Sequence, residues 1–115
     1  AKAGYEKIIL AQGELGSEVL YYDAYFKNKE GKFEDSNAVI QQLAKNYSDY
    51  KYFGAKGLLL MAKNFYELKD SYQATYILEN VIQNFTDFPD WVTAAKKQLE
   101  RIKSNESKTN SSITN

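Results

Sequence analysis

The chain has 115 residues with 15 basic and 15 acidic side chains, so its formal net charge is zero. A balanced charge gives no attraction to nucleic acid or to an anionic membrane surface, and we expect neither as a partner. The chain has no cysteine and no histidine, which excludes disulfides, thiol nucleophiles and metal or catalytic sites built on those residues. Apolar residues make up 43% of the chain, enough for the core of one domain.

Helical periodicity dominates the chain, which has only one proline and six glycines. The pattern of apolar residues predicts helices over 2–11, 18–29, 33–47, 52–67 and 70–85, and a closing helix over 90–103. No uncharged apolar run approaches the roughly 20 residues that a membrane-spanning helix needs, so we expect no membrane insertion. The polar segment 104–115 has no periodicity and is predicted to be a disordered tail.

Capping residues support two of these helix starts. Asp70, followed by Gln73 three residues later, approximates a capping box at the start of the helix 70–85. Ser17, with Gly16 just outside, is the predicted cap of the helix 18–29. Gly54 and Gly57 fall inside the helix 52–67, where glycine costs about 1 kcal/mol relative to alanine. They suggest a closely packed neighbour, although Gly54 is equally consistent with a tolerated residue near the first turn.

The chain contains an internal repeat of 38 residues. Residues 46–50, Asn-Tyr-Ser-Asp-Tyr, match residues 84–88, Asn-Phe-Thr-Asp-Phe. The same shift pairs Val39 with Ile77 and Phe53 with Trp91. Repeats of this length built from two helices are typical of α-solenoids.

One unit of this repeat resembles the tetratricopeptide repeat (TPR) family. The residues that carry the family's spacing are Leu58, Met61, Ala62, Phe65, Ala74, Leu78 and Val81, although Lys69 stands in the turn where glycine is usual. In the preceding unit, Ala24-Tyr25-Phe26 lies about two residues too far from Gly31, which predicts that the first unit is out of phase.

The resemblance implies an all-α, TPR-like solenoid of antiparallel helix pairs over residues 1–103, with a C-terminal capping helix. The 38-residue period and the Asn-Tyr-Ser-Asp junction resemble bacterial envelope TPR proteins of the outer-membrane-assembly lipoprotein and Tol–Pal coordinator type. That resemblance alone suggests a location in the periplasm or at the outer-membrane periphery.

Two groups of residues are candidates for binding a partner. The aromatic residues Tyr21, Tyr22, Tyr25 and Phe26 cannot all face one core from one helix. Tyrosine is common in recognition surfaces, so Tyr21, Tyr22 and Tyr25 form the first group. The alternative interpretation is that two of these four aromatic residues pack in the core and the others against a missing preceding repeat. The second group comprises residues of the helix 52–67 that lie outside its predicted core face, namely Lys56, Leu60, Lys63 and Asn64. The TPR resemblance implies that lysine and asparagine on this face could bind a carboxylate, although the spacing only partly matches the family's carboxylate clamp. The alternative is a solvated face.

We therefore expect a non-catalytic module for protein–protein interaction or scaffolding, which binds a peptide or a partner domain on its concave face. No catalytic, cofactor-binding or metal-binding residue is predicted, because the paired acids lack a supporting pattern. The alternative is a structural C-terminal cap of a longer solenoid, which the start of the chain at Ala1 inside an apparent helix favours. In that case a face around Tyr5, Ile8 and Ile9 would pack against preceding repeats or a second copy of the chain.

Overall fold

Five helices make up the computed structural model of the protein, which describes the backbone of residues 2–114 and the side chains of residues 12–108. They are α1 (Lys2–Lys29), α2 (Phe33–Asn46), α3 (Lys51–Glu67), α4 (Ser71–Asn84) and α5 (Pro89–Thr114). No strand occurs within residues 2–114. The all-α class is therefore confirmed, and α2, α3 and α4 match their predicted bounds to within one residue.

The two helices predicted for the start of the chain form one continuous helix, which corrects the predicted break between residues 11 and 18. Gly13 and Gly16 lie inside this helix, where the ring of Tyr50 packs against the backbone at Gly13 and the ring of Tyr47 packs against the backbone at Gly16. A Cβ atom on either glycine would overlap one of these rings. Ser17 caps no helix, since it lies inside α1 and its hydroxyl donates a hydrogen bond of 2.7 Å to the carbonyl of Glu14.

The closing helix is also longer than predicted. Helix α5 begins at Pro89 and continues to Thr114, through the segment predicted as a disordered tail. Helix propagation adds one backbone hydrogen bond for each residue that it orders, so a polar segment can extend an anchored helix. Among the described side chains, the last buried apolar residue of α5 is Ile102, which is 5% exposed. Side chains beyond residue 108 lie outside the described residues.

The bounds of the helices repeat with the 38-residue period of the sequence. Helix α2 begins at Phe33 and ends at Asn46, and α4 begins and ends 38 residues later, at Ser71 and Asn84. Likewise α1 ends at Lys29 and α3 at Glu67. The first unit is thus in phase with the second, contrary to the prediction from Ala24-Tyr25-Phe26. Ala24 and its equivalent Ala62 are both fully buried. The two units therefore align at this buried alanine and not at the aromatic residues that follow Ala24.

Similar turns end α1 and α3. Gly31 and Lys69 have positive φ angles of 78° and 68°. In each turn, the amide of this residue and the next amide donate to carbonyls in the last turn of the helix, as in a Schellman motif. At the start of α4, the predicted cap is confirmed because the Asp70 carboxylate accepts a hydrogen bond of 3.1 Å from the amide of Gln73.

Helix α3 lies at the centre of the arrangement. Each helix packs against the next one in the chain, and in addition α1 contacts α3 and α3 contacts α5. Within the described part of the chain, α2 and α4 do not contact each other. The three odd-numbered helices therefore form one layer, called here the odd-helix layer, and the core lies between them and α2 and α4. The molecule is elongated, with extents of 70 × 29 × 17 Å.

Candidate binding groove and aromatic cluster

The predicted site residues separate into three environments. Leu60 and Asn64 are buried, at 5% and 0% exposure, so neither belongs to the exposed face to which it was assigned. Tyr21, Tyr22, Tyr25 and Lys56 lie together where α1 meets the first half of α3. Lys63 is exposed and lines a groove near the end of α3.

Asn64 holds a buried polar network that joins three helices. Its Nδ2 donates to Ser36 Oγ at 2.8 Å and to Asn37 Oδ1 at 2.9 Å. Its Oδ1 accepts a hydrogen bond of 2.8 Å from Asn28 Nδ2, and Ser36 Oγ donates to the carbonyl of Ala24. Among the described residues, no buried side-chain nitrogen or oxygen lacks a partner. The Asn64 amide is thus used for structure and is not available to a ligand carboxylate.

An aromatic cluster crosses the odd-helix layer from α1 to α5. It consists of Tyr21, Tyr22, Tyr25, Tyr52, Phe53 and Trp91. The Tyr21 ring lies 6.0 Å from the Phe53 ring, measured between centroids, and the Tyr52 ring lies 5.3 Å from the Trp91 ring. Lys56 Nζ lies 4.8 Å from the centroid of the Tyr21 ring, within the range of a cation–π interaction.

The tyrosines of this cluster differ in exposure. Tyr21 is buried, and burial, followed by its neighbours Tyr22, Tyr25 and Tyr52, raises the pKa of its hydroxyl above the ordinary value. Tyr25 is half-buried, whereas Tyr22 and Tyr52 are 41% and 48% exposed. Of the three predicted tyrosines, Tyr22 presents the most ring surface to a partner.

The second feature of the odd-helix layer is a groove of about 550 Å³ formed where α1 ends and where α3 and α5 pass each other. Its apolar lining consists of the buried residues Ala62 and Ile102 and the half-buried rings of Tyr66 and of Phe33, the first residue of α2. Its polar lining consists of Lys29, Lys63 and Arg101, the carboxylate of Glu67, and the amides Asn28, Gln98 and Asn105. Below, "the groove" means this set of residues.

Positive charge outweighs negative charge in the groove, because three cationic side chains face one carboxylate. Lys63 and Arg101 are exposed and form no ion pair within the described residues, while Lys29 Nζ lies 5.2 Å from the centroid of the Tyr25 ring. Cationic side chains beside apolar residues suit a ligand that combines carboxylates with apolar side chains.

Sequence reasoning identified only Lys63 among the groove residues. Lys29 and Arg101 lie 34 and 38 residues away from Lys63, and they come close to it only because α1, α3 and α5 form one layer. The repeat is a signal that could have found Arg101, since the 38-residue shift pairs it with Lys63, but it pairs Lys63 with Tyr25 on α1 and gives no indication of Lys29.

The described residues contain no group of three or more acidic side chains placed to hold a metal ion. No helix among them is both long enough and apolar enough to cross a membrane. Comparisons of the chain with family models, curated proteins and solved structures find no match.

Proposed function

We propose that the protein is a non-catalytic interaction module, which binds an acidic, partly apolar segment of another protein in the groove. The observation that carries the proposal is the convergence of Lys29, Lys63 and Arg101 from three different helices around an apolar floor. A site with donors from several helices favours a ligand that lies across the layer. An extended peptide fits that requirement.

The proposal includes a TPR-like solenoid of antiparallel helix pairs. The repeated bounds of α2 and α4, the equivalent positive-φ turns and the contacts among α1, α3 and α5 support it. In such an arrangement the first helix of each pair lines one continuous face, on which the groove and the aromatic cluster both lie. Tyr22 and Tyr52 would extend the binding surface beyond the groove.

The groove is tested with a fluorescein-labelled dodecapeptide made of Glu, Leu and Ser in equal parts, and with a matched peptide in which Lys replaces Glu. Fluorescence anisotropy gives the dissociation constants. We expect the acidic peptide to bind and the basic one to bind at least about tenfold more weakly, a difference of about 1.4 kcal/mol. Added salt should weaken the acidic complex, since exposed charge pairs are screened.

The double variant Lys63→Glu/Arg101→Glu should lose at least about tenfold in affinity for the acidic peptide, because it reverses two of the three cationic contacts. The matched control is Lys96→Glu/Lys97→Glu, which makes the same charge change on exposed residues of α5 outside the groove. Equal loss in both variants would show a non-specific charge effect, and no loss in either would refute the groove as the site.

A further inference from the structure

An exposed apolar stripe runs along α1 and is separate from the groove. It consists of Leu15, Val19, Tyr22 and Phe26, which are 59%, 59%, 41% and 59% exposed. Their spacing of four, three and four residues places them on one face of the helix. Ser17 and Ala24, fully buried, lie on the opposite face, toward α2 and α3. Below, "the α1 stripe" means these four residues.

The equivalent surface is covered in the second unit. A shift of 38 residues maps the α1 stripe onto Phe53, Gly57, Leu60 and Asn64 of α3. A Cβ atom on Gly57 would lie 3.1 Å from Leu43 and 3.3 Å from Ile40, both on α2. Asn64 bonds to Ser36 and Asn37 of the same helix. Helix α2 therefore covers this surface of α3.

The third copy of this surface lies on α5. A further shift of 38 residues gives Trp91, Ala95, Gln98 and Ile102, of which Ala95 and Ile102 are buried where α5 packs against α4 and α3. Only on α1 is the surface exposed among the described residues. At three of the four positions the residue on α1 is larger than its equivalent on α3, and Val19 stands in place of Gly57. An occupant of the α1 stripe would thus pack against side chains and not against the backbone.

Space for an occupant is present beside the α1 stripe. A separate cavity of about 490 Å³ lies between α1 and the end of α2. It is lined by Leu15, Val19 and Leu20 on one side and by Gln42, Asn46 and Tyr47 on the other. A second helix placed on the α1 stripe would fill this cavity. It would pack as α2 packs on α3, where Ile40 and Leu43 lie against Gly57.

Charge distinguishes between candidate occupants. Residues 12–26 contain three acids, Glu14, Glu18 and Asp23, and no lysine or arginine. Asp23 is paired with Lys27 at 2.6 Å, whereas Glu14 and Glu18 form no ion pair within the described residues. A second copy of α1 would bring the same acids to the interface, and like charges there are unfavourable. A helix flanked by basic residues complements them.

From this combination we infer that the α1 stripe binds a basic amphipathic helix of a partner protein. The apolar residues of that helix, spaced four, three and four, would cover Leu15, Val19, Tyr22 and Phe26. Its lysine or arginine side chains would pair with Glu14 and Glu18. This surface lies outside the groove and shares only Tyr22 with the larger binding surface proposed above, so the two proposals are tested at different residues.

The probe is a synthetic peptide of residues 70–88, because α4 is one of the chain's own covering helices. In the basic peptide Tyr72, Tyr76 and Glu79, which are exposed in α4, are changed to Lys. In the acidic control peptide Tyr72 and Tyr76 are changed to Glu. Both peptides keep Ala74, Leu78, Val81 and Phe85. Anisotropy of the labelled peptides is measured against the full chain at low and high salt.

We expect the basic peptide to bind at least about tenfold more tightly than the acidic one at low salt. The variant Val19→Ser/Phe26→Ser should lose this binding by at least about tenfold. The matched control Tyr72→Ser/Tyr76→Ser removes two exposed aromatic rings from α4 and should bind like the wild type. The groove variant Lys63→Glu/Arg101→Glu should also bind the basic peptide normally, which separates this inference from the proposed function.

Three results would overturn the inference. One is the absence of binding by either peptide, and the second is equal binding by the Val19→Ser/Phe26→Ser variant with its helical circular dichroism intact. The third is a wild-type dimer in analytical ultracentrifugation that the same variant converts to monomer, because the occupant would then be a second copy of the chain.

Discussion

Asn64 fixes the relative positions of α1, α2 and α3 through one side chain. Its amide uses both hydrogens and its oxygen in bonds to Ser36, Asn37 and Asn28. In the second unit the 38-residue shift replaces Ser36 with Ala74 and Asn64 with Ile102, all of them buried. The same space is therefore filled by polar groups in one unit and by apolar groups in the next.

Replacing Asn64 with alanine should strongly destabilise the fold. The change leaves the buried amide oxygen of Asn37 and the amide hydrogens of Asn28 without their partner and creates a small cavity. We expect a loss of about 3 kcal/mol in the free energy of unfolding. Chemical denaturation monitored by circular dichroism measures it. The control Lys63→Ala, at the exposed neighbouring residue, should change stability by less than about 0.5 kcal/mol. A loss below about 1 kcal/mol for Asn64→Ala would contradict the role of the network.

Sequence reasoning failed at Asn64 for a physical reason. Asparagine is mostly exposed in proteins, and burial of its amide is acceptable only when partners satisfy it. Those partners lie 27, 28 and 36 residues away along the chain, so no local pattern reveals them. Leu60 was misassigned with Asn64 because α3 is covered on several sides, by α1, α2, α4 and α5. A helix at the centre of a fold has little exposed surface.

At the scale of elements, the turn after α3 holds a residue that is unfavourable there. Lys69 has a φ angle of 68°, a left-handed conformation that glycine adopts without steric cost. Gly31 occupies the equivalent place after α1. The exchange Lys69→Gly should therefore stabilise the protein by about 0.5–1 kcal/mol.

The reciprocal exchange Gly31→Lys provides the control for this prediction. It should destabilise the protein by about 1 kcal/mol, because the added Cβ would be strained at a φ of 78° although no described atom lies within 4 Å of it. Thermal unfolding followed by circular dichroism gives both values. Equal shifts of the same sign in the two variants would show that the turn conformation does not set the energies.

The sequence predicted α2, α3 and α4 well because each carries a regular apolar ladder between clear turns. It did not predict the continuity of α1, since Gly13 and Gly16 resemble a break until the rings of Tyr47 and Tyr50 are placed against them. The two glycines inside α3 also differ. Gly57 is in contact with α2, whereas a Cβ on Gly54 would meet no described atom within 4 Å. The structure therefore shows which of the two glycines is required by a closely packed neighbour and which is not, a distinction that the sequence pattern could not make.

At the scale of the whole molecule, α3 contacts all four other helices. Its amides should open only in the largest unfolding events, because opening α3 alone would disrupt four interfaces at once. We expect native-state hydrogen exchange to be slowest in α3, around Ala55, Leu59 and Ala62, at least about tenfold slower than in α2 or α4. Mass spectrometry or NMR measures the rates. Slowest exchange in α2 or α4 would contradict this ranking.

The candidate surfaces also belong to this largest scale, and this explains why sequence reasoning found only part of each, such as Lys63 in the groove and Tyr22 in the α1 stripe. The groove combines residues near positions 28, 63 and 101, and its charge balance exists only after three helices assemble. The exposure of the α1 stripe depends on a helix that no described part of the chain supplies. The periodicity of a local segment predicts a helix, but which side of that helix stays exposed depends on the other helices that pack against it.

The 38-residue spacing of helix ends and positive-φ turns has a consequence for changes in chain length. One residue inserted inside α3 rotates everything beyond it by about 100°, which would turn core residues toward solvent and separate Lys63 from Arg101. Insertion of a full 38-residue unit, from Phe33 to Asp70, keeps the core face of each later helix turned toward its neighbours. Viable lengths for this fold are therefore discrete, so the protein can grow by duplication of whole units far more readily than by single insertions within its helices.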